Sequence, residues 1–527
     1  MGVEGRLVCL LVLKTSVSSE AARVGSIPTY SRHFIFKWGP ATWRGHPVTF
    51  DFVGSPAMNQ DLLRQIPKVD LLLLQESLTA LEGEFSREQI LEATRDYLSD
   101  LRKGILSGQV GQVGTTEELA RDIAGRLARH GAYSLCPVVN ATGVVLHTNL
   151  GRAPLGVAVA SHVAEVAQGY SNLEYDLAEG RRGSRYAHVE DLLCQLTGVE
   201  AALVVNNNAA AVFLMLNTFC RDRGVAISRG ELVEIGGSFR IPDIMAQSGA
   251  LLVEVGTTNK THLSDYARVM ETGEASALLK VHRSNFVMRG FTESVSVDEL
   301  TELARPADAL VLYDAGALPL VQLDLAGMGE EPTLRRVLDA GADVVCFSAD
   351  KLLGSAQAGI LLGRRELIDR MRHNQLTRML RIDKLSLAAL EATLDLYRSP
   401  RLAREQVPVV RMLTMGVEEC RARAEQLRGL LVEMVPEVEC QLVPVEDEVG
   451  GGALPDVGLS GWALAVSVEG LSADELAERM RGCSWPVIVR IKEGRVLLSV
   501  RTLCEGDEER VCLALEQLVS ELFKDVQ

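Results

Sequence analysis

The sequence predicts an α/β protein in which a mainly parallel sheet is set between a small helical N-terminal domain and an α+β C-terminal domain. Two observations carry that prediction. Between residues 201 and 362 short apolar runs alternate with helical segments, which is the signature of βαβ units and of a sheet covered on both faces. Before Pro137 the apolar residues recur instead at helical spacing, and after residue 417 strands and helices mix.

Residues 1–57 show neither period. The apolar run at 7–13 is short enough to pass for a signal-peptide core, but its flanking n-region is weak and nothing downstream looks secreted. Met58-Asn59-Gln60-Asp61 opens a clean helical pattern, so translation is expected to begin at Met58, with the preceding stretch outside the working protein. A helical domain is expected over 58–135. Leu62, Leu63, Ile66 and Leu78 fall on its apolar stripes, Ser86-Arg87-Glu88-Gln89 reads as a capping box, and a glycine-rich turn leads to a helix from Thr116. A second domain is expected over 136–395, with strands at 201–205, 225–228, 251–255, 277–282, 309–313, 343–347 and 360–362. The last domain, 396–527, should hold helices at 417–432, 473–481 and 508–522 and strands at 462–468, 487–492 and 495–500. A hairpin at Lys492-Glu493-Gly494-Arg495 joins the last two strands.

At 527 residues the chain is too long for one ordinary core. A net charge of -16 argues against a generally basic, nucleic-acid-coating surface, so a nucleic-acid partner needs a local basic patch. The ten cysteines are scattered, without C-x-x-C or metal-ligand spacing, the pattern of reduced thiols in a cytoplasmic protein. No apolar run approaches the roughly 18 residues of a membrane span, and neither a metal site nor a membrane partner is expected.

Sites in such folds gather at the carboxyl ends of strands. One apolar strand runs into Ser348-Ala349-Asp350-Lys351-Leu352-Leu353-Gly354. A lysine on a rigid strand end, with Ser348, Gly354 and Gly359 leaving room for a bulky group, suits covalent capture of a carbonyl better than a solvated charge. Asn206-Asn207-Asn208-Ala209 follows the strand at 201–205 and opens a helix, where free backbone N–H groups can take a phosphate; an ordinary helix cap explains the same residues. Asp314 ends another strand, either as a turn cap or as the carboxylate that keeps a pyridinium nitrogen protonated. Asn285 follows the strand that ends at His282, where a phenolic oxygen would be bonded. A phosphate cradle, an aspartate and a lysine on successive strand ends is the order used by pyridoxal-phosphate enzymes of the aminotransferase type. Lys351 and Asp314 are therefore the expected catalytic residues. The expected cofactor-binding set is Lys351, Asp314, Asn207, Asn208, Ala209, Asn285 and Ser348.

Longer motifs sharpen this. Asn140-Ala141-Thr142-Gly143 running on to His147-Thr148-Asn149-Leu150-Gly151-Arg152, Asn172-Leu173-Glu174-Tyr175-Asp176-Leu177, Ser228-Arg229-Gly230-Glu231, Glu254-Val255-Gly256-Thr257-Thr258-Asn259 and Asp350-Lys351-Leu352-Leu353-Gly354 resemble bacterial selenocysteine synthase, L-seryl-tRNA(Sec) selenium transferase. The resemblance runs from about residue 58 to the C-terminus. It departs at Asp314-Ala315-Gly316-Ala317, where that family more usually has Asp-Leu-Gly-Ser-Gly, with the aspartate kept.

The resemblance implies a type I pyridoxal-phosphate fold, an N-terminal tRNA-binding domain and a ring-shaped homodecamer, a pentamer of dimers. It implies that Lys351 holds pyridoxal 5'-phosphate as a Schiff base until seryl-tRNA(Sec) displaces it. Loss of the α-proton and of the β-hydroxyl then leaves an aminoacrylate, to which selenium from selenophosphate adds. It also implies an anion site for selenophosphate at Arg152, Arg378 and Arg381, where guanidiniums give directional, charge-assisted bonds; on its own Arg378-x-x-Arg381 reads as a solvated helix face. His147 assists there or caps a turn. Arg181, Arg182, Arg185 and His188, the basic stretch 364–384, and Arg64, Lys68, Arg102, Lys103, Arg121, Arg126 and Arg129 are candidates for tracking tRNA phosphates by shape. Two other readings share part of this evidence: a lyase of the same fold acting on a free small amino acid, and a non-catalytic RNA-binding oligomer with a relic site.

Overall fold

The computed structural model describes residues 56–131, 133–236, 239–323, 325 and 332–524, and the chain divides into two units between residues 134 and 135. Residues 1–55, which make up most of the stretch expected to precede a start at Met58, lie outside the described residues.

The first unit is helical, as its period requires. Ser86 caps the helix Arg87–Ser107 by accepting from the Gln89 N–H while the Gln89 side chain accepts from the Ser86 N–H, a complete capping box, and Gly108 ends the helix in the left-handed region at φ 75°. Leu62, Leu72, Leu78, Ile90, Leu98, Ile105 and Ile123 close its core.

The second unit is built on a seven-stranded sheet. Its strands are β1 (Ala201–Val205), β2 (Gly224–Ser228), β3 (Leu251–Val255), β4 (Ala277–Val281), β5 (Leu310–Gly316), β6 (Val344–Ser348) and β7 (Gly359–Gly363). The order across the sheet is β1-β7-β6-β5-β4-β2-β3, with β7 antiparallel to both neighbours and every other pair parallel. β1, β6 and β7 are buried along their whole length. A strand covered on both faces buries the side chains of both its alternating sets, which is why these strands, edge strand β1 included, read as mainly apolar runs. β5 continues past its expected end through Asp314 to Gly316, and its register against β6 shifts between those two residues. The Asp314 carboxylate is buried at that irregularity.

A six-stranded sheet forms the C-terminal part, and the Lys492-to-Arg495 hairpin is present, with Glu493 and Gly494 both at positive φ. Two features differ from expectation. Residues 438–450 form a thirteen-residue strand. The segments Val139–Ala141 and Val144–Leu146, drawn with the 136–395 domain, instead supply strands to this sheet by pairing with Val487–Lys492 and with the end of 438–450. Gly143 makes the turn between them at φ 81°, and a Cβ there would lie 2.1 Å from Asp447 Oδ1. The Asn140-to-Gly143 motif is thus part of the packing between this sheet and its buried acid.

Candidate active site

The carboxyl ends of β1, β5 and β6 bring Asn208, Asp314 and Lys351 together. Asp314 is 1% exposed, and its Oδ1 accepts from Asn208 Nδ2 at 2.9 Å, from the Gly316 N–H at 3.0 Å and from Cys346 Sγ at 3.8 Å. Burial pushes its carboxyl above the usual range, opposed by the Asn208 and Gly316 bonds and by the charges of Lys351 and His282. A cationic ring nitrogen at this carboxylate would return it to the ionised state. Lys351, on the turn after β6, is 6% exposed. Burial pushes its amine below the ordinary lysine value, with Arg152 adding to that effect and Asp314 and Asp350 opposing it. Arg152, at φ 62°, is held beside the lysine by its ion pair with Asp350. A non-glycine residue in that region marks a backbone fixed by its surroundings.

The cradle sits at the start of the helix Asn208–Cys220. Asn207 Oδ1 caps the Ala210 N–H at 2.9 Å, and the Asn207 carbonyl takes the Ala211 N–H. The N–H groups of Asn208 and Ala209 in the first turn are left for an outside acceptor. The glycine at 359 has a different reason from the one expected: a Cβ there would lie 2.1 Å from the Asn207 carbonyl oxygen. The room it leaves is filled by the chain's own cradle turn, which β7 holds against β1. Asn285 donates from Nδ2 to the Glu234 carbonyl at 3.0 Å. Asn208 Oδ1, Asn285 Oδ1, Ser284 Oγ and His147 Nδ1 are buried without a hydrogen-bond partner. Orphaned polar atoms beside a buried lysine and aspartate, with a helix N-terminus facing the same region, suit a phosphorylated, polar-ringed cofactor such as pyridoxal phosphate. Ser348, at the end of β6 and 9% exposed, pairs in register with Gly359.

Arg381 is fixed next to the cradle: it forms an antiparallel bridge with Val205, and the Asn206 N–H donates to the Leu380 carbonyl at 2.9 Å. Its guanidinium meets Glu174 at 3.3 Å. Arg378 and Arg381 line one cavity of about 320 Å³ with Glu174, Arg182 and Arg185. Arg152 is not among its lining residues and rests on Asp350, so the three expected anion-site arginines are not gathered here around one point.

The expected tRNA-facing clusters are largely neutralised. Arg185 is buried, His188 Nε2 lies 3.3 Å from the Leu173 carbonyl, and Arg181 and Arg182, though exposed, pair with Glu179 and Glu174. Arg64, Lys103, Arg121 and Arg126 each pair with an aspartate or glutamate of their own unit. Glu174, Asp350 and Cys346 carry roles at the site that their residue types did not announce. Glu174 and Asp350, each inside a recognised motif, offered a signal, and Cys346 offered none.

A sheet of this order, with a lysine after β6, an aspartate on β5 and a helix N-terminus after β1, defines the type I fold of pyridoxal-phosphate enzymes. The structure of D-glucosaminate-6-phosphate ammonia-lyase matches it with a TM-score of 0.50 at 20% identity, over 73% of this chain and 96% of that one. The family description "L-seryl-tRNA selenium transferase" matches residues 138–504, and "Selenocysteine synthase N terminal" matches 63–102. L-seryl-tRNA(Sec) selenium transferase of Geotalea daltonii is 49% identical over 462 residues, covering 87% of this chain and 100% of that protein. The protein of the same name from Geobacter sulfurreducens is 48% identical over 461 residues, again 87% and 100%. This chain belongs to the L-seryl-tRNA selenium transferase family. No described helix is long and apolar enough to cross a membrane, and no group of three or more His, Cys, Asp or Glu among the described residues could hold a metal ion.

Proposed function

We propose that this chain converts L-seryl-tRNA(Sec) to L-selenocysteinyl-tRNA(Sec), taking selenium from selenophosphate. The observation that carries the reading is the coexistence of the Asn208–Asp314–Lys351 group with near-half identity along the whole length of L-seryl-tRNA(Sec) selenium transferases. Pyridoxal phosphate, when bound, supplies an electron sink for the carbanion formed at the seryl α-carbon. Lys351 would hold its carbonyl carbon, Asp314 its ring nitrogen, and Asn285 its phenolic oxygen. The N–H groups of Asn208 and Ala209, positioned by the Asn207 cap, would hold its phosphate together with Ser348.

The chain's own residues then do three things. Lys351 Nζ, with its proton affinity lowered by burial, takes the seryl α-proton and returns a proton when the product forms. The serine β-hydroxyl leaves with a proton as water, selenium adds to the β-carbon as its bond to phosphorus breaks, and a water molecule takes the phosphoryl group so that phosphate departs. Arg378 and Arg381 bind the phosphate of the selenium donor, and Arg152, tied to Asp350, carries positive charge to the edge of the lysine turn. The N-terminal unit would receive the tRNA body, within a homodecameric cytoplasmic enzyme.

The test is to incubate the protein with seryl-tRNA(Sec) and selenophosphate and to assay for selenocysteinyl-tRNA(Sec), with free serine as the control. Formation of the selenocysteinyl product, with free serine inert, is expected. Conversion of free serine at a comparable rate would assign the chain to small-amino-acid lyases instead.

A further inference from the structure

Glu174 lies on the short loop before the two-stranded hairpin 175–182 and, among the described residues, is the one acid lining a cavity that also presents Arg182, Arg185, Arg372, Arg378 and Arg381. Its Oε1 accepts from Arg185 Nε at 3.0 Å, from Arg185 Nη2 at 2.6 Å and from Arg381 Nη1 at 3.3 Å, and its Oε2 accepts from Arg182 Nη2 at 3.0 Å. Arg185 is buried, and its remaining terminal nitrogen, Nη1, donates to the carbonyl of Ile382, the residue after Arg381. One carboxylate therefore organises three guanidiniums. Through Arg185 it also clamps the backbone that carries Arg381, and on the other side that backbone is bonded to Val205 and Asn206 at the cradle.

We propose that Glu174 is the positioning residue of the selenium donor's anion pocket, holding Arg381 and Arg182 in the orientation in which they receive a phosphate-type dianion. The inference rests on the reading that Arg378 and Arg381 bind the donor phosphate. Its physical basis is preorganisation. An arginine side chain has many rotamers, and fixing it before the ligand arrives removes that ordering cost from binding. The Arg185–Glu174 pair is suited to the task because it is itself fixed by burial and by the Ile382 carbonyl.

A second role for the same carboxylate gives the opposite result, so the two are separable. If Glu174 were only a counter-charge, neutralising it would make the pocket more positive and tighten anion binding. If it positions the arginines, neutralising it loosens them and weakens binding.

The experiment is steady-state kinetics of full-length wild type, Glu174→Gln, Arg381→Ala and the double variant, with selenophosphate varied at saturating seryl-tRNA(Sec). Calorimetric binding of inorganic phosphate to each is a readout free of turnover. Glu174→Gln is expected to raise the selenophosphate KM roughly tenfold, the scale seen when the supporting partner of a binding group is lost. The kcat at saturation and the KM for seryl-tRNA(Sec) should stay within about twofold. In the Arg381→Ala background the same change should add a smaller factor, because only Arg182 is then left to be loosened. If Glu174→Gln does not fold, Glu174→Asp retracts the carboxylate while keeping its charge and is expected to raise the same KM by a smaller factor. An unchanged or lowered KM in a folded Glu174 variant overturns the proposal. An unchanged KM in Arg381→Ala overturns the underlying placement of the donor phosphate.

Discussion

Asp314 and Asp447 are both buried carboxylates with a buried cation in their neighbourhood, and the structure completes only one of them. Asp447 accepts from Ser499 Oγ at 3.0 Å on each oxygen, from Arg501 Nε at 3.2 Å and from Arg490 Nη2 at 3.4 Å, so that both its oxygens are answered although Arg490 Nε is left without a partner. Arg501, 1% exposed, spends its other donors on the carbonyls of Met412, Met415 and Ser460. Around Asp314, by contrast, Asn208 Oδ1 and Ser284 Oγ, the latter beside Gly316, are buried and unanswered, and the Lys351 amine is depressed by burial. Burial pushes both carboxyls up, and at Asp447 the Arg501 charge is the largest opposing influence. A fully answered buried charge holds a fold together, and one set among unanswered polar atoms is shaped for a ligand.

Substitutions in the two clusters should therefore fail in different ways. The largest effect belongs to Lys351→Ala, expected to cut selenocysteinyl-tRNA(Sec) formation by at least about a thousandfold, while its urea midpoint stays near that of wild type. Asp447→Ala leaves Arg501 buried and uncompensated and should cost roughly 3–5 kcal/mol of stability, read from urea unfolding. Activity per folded molecule should be unchanged, and replacing the pair together with apolar residues should recover most of the loss. If Asp447→Ala abolished turnover in a stable protein, the contrast would be broken. Asp314→Asn is expected to lower kcat by about a hundredfold to a thousandfold without loss of stability, because an amide needs no counter-ion at that depth.

A smaller effect follows from Glu174, whose carboxyl the Arg185 bonds hold below the usual glutamate range. A depressed acid contributes stability that is complete above its unfolded value, about pH 4.3, and is lost as pH falls through the lower folded value. The stability advantage of wild type over Glu174→Gln should thus be constant near neutrality and shrink as pH drops below about 4.3. An advantage that grew on acidification would contradict the pairing.

Much of this was legible in the chain because its signals are local. Runs such as 201–205 and 344–347 are apolar at every position, as a strand covered on both faces requires. The Ser86 capping box and the Lys492-to-Arg495 turn each complete their bonds within four residues. Lys351, Asp314 and Asn208 were found because strand order places them at one end of the sheet. What stayed hidden depends on distant partners. The strand at 438–450 alternates polar and apolar residues and contains Pro444, a demoting signal that is tolerated because its ladder to the neighbouring strand at 144–146 is confined to Glu448 and Gly450. The strands at 139–146 find their sheet more than three hundred residues away, at Val487 and Glu448. Arg185 read as a surface charge, and Glu174 as one residue of a motif. Only the fold shows that one is buried by the other.

The account rests most heavily on Lys351 being the lysine that captures the cofactor's carbonyl. The direct measurement is to load the protein with pyridoxal phosphate, reduce it with borohydride, digest it and locate the added pyridoxyl mass by mass spectrometry. The prediction is a single modified peptide carrying the label on Lys351, absent from Lys351→Ala. Label on another lysine, such as the half-buried Lys280 paired with Glu231 at 2.8 Å, or no stable label at all, would contradict it.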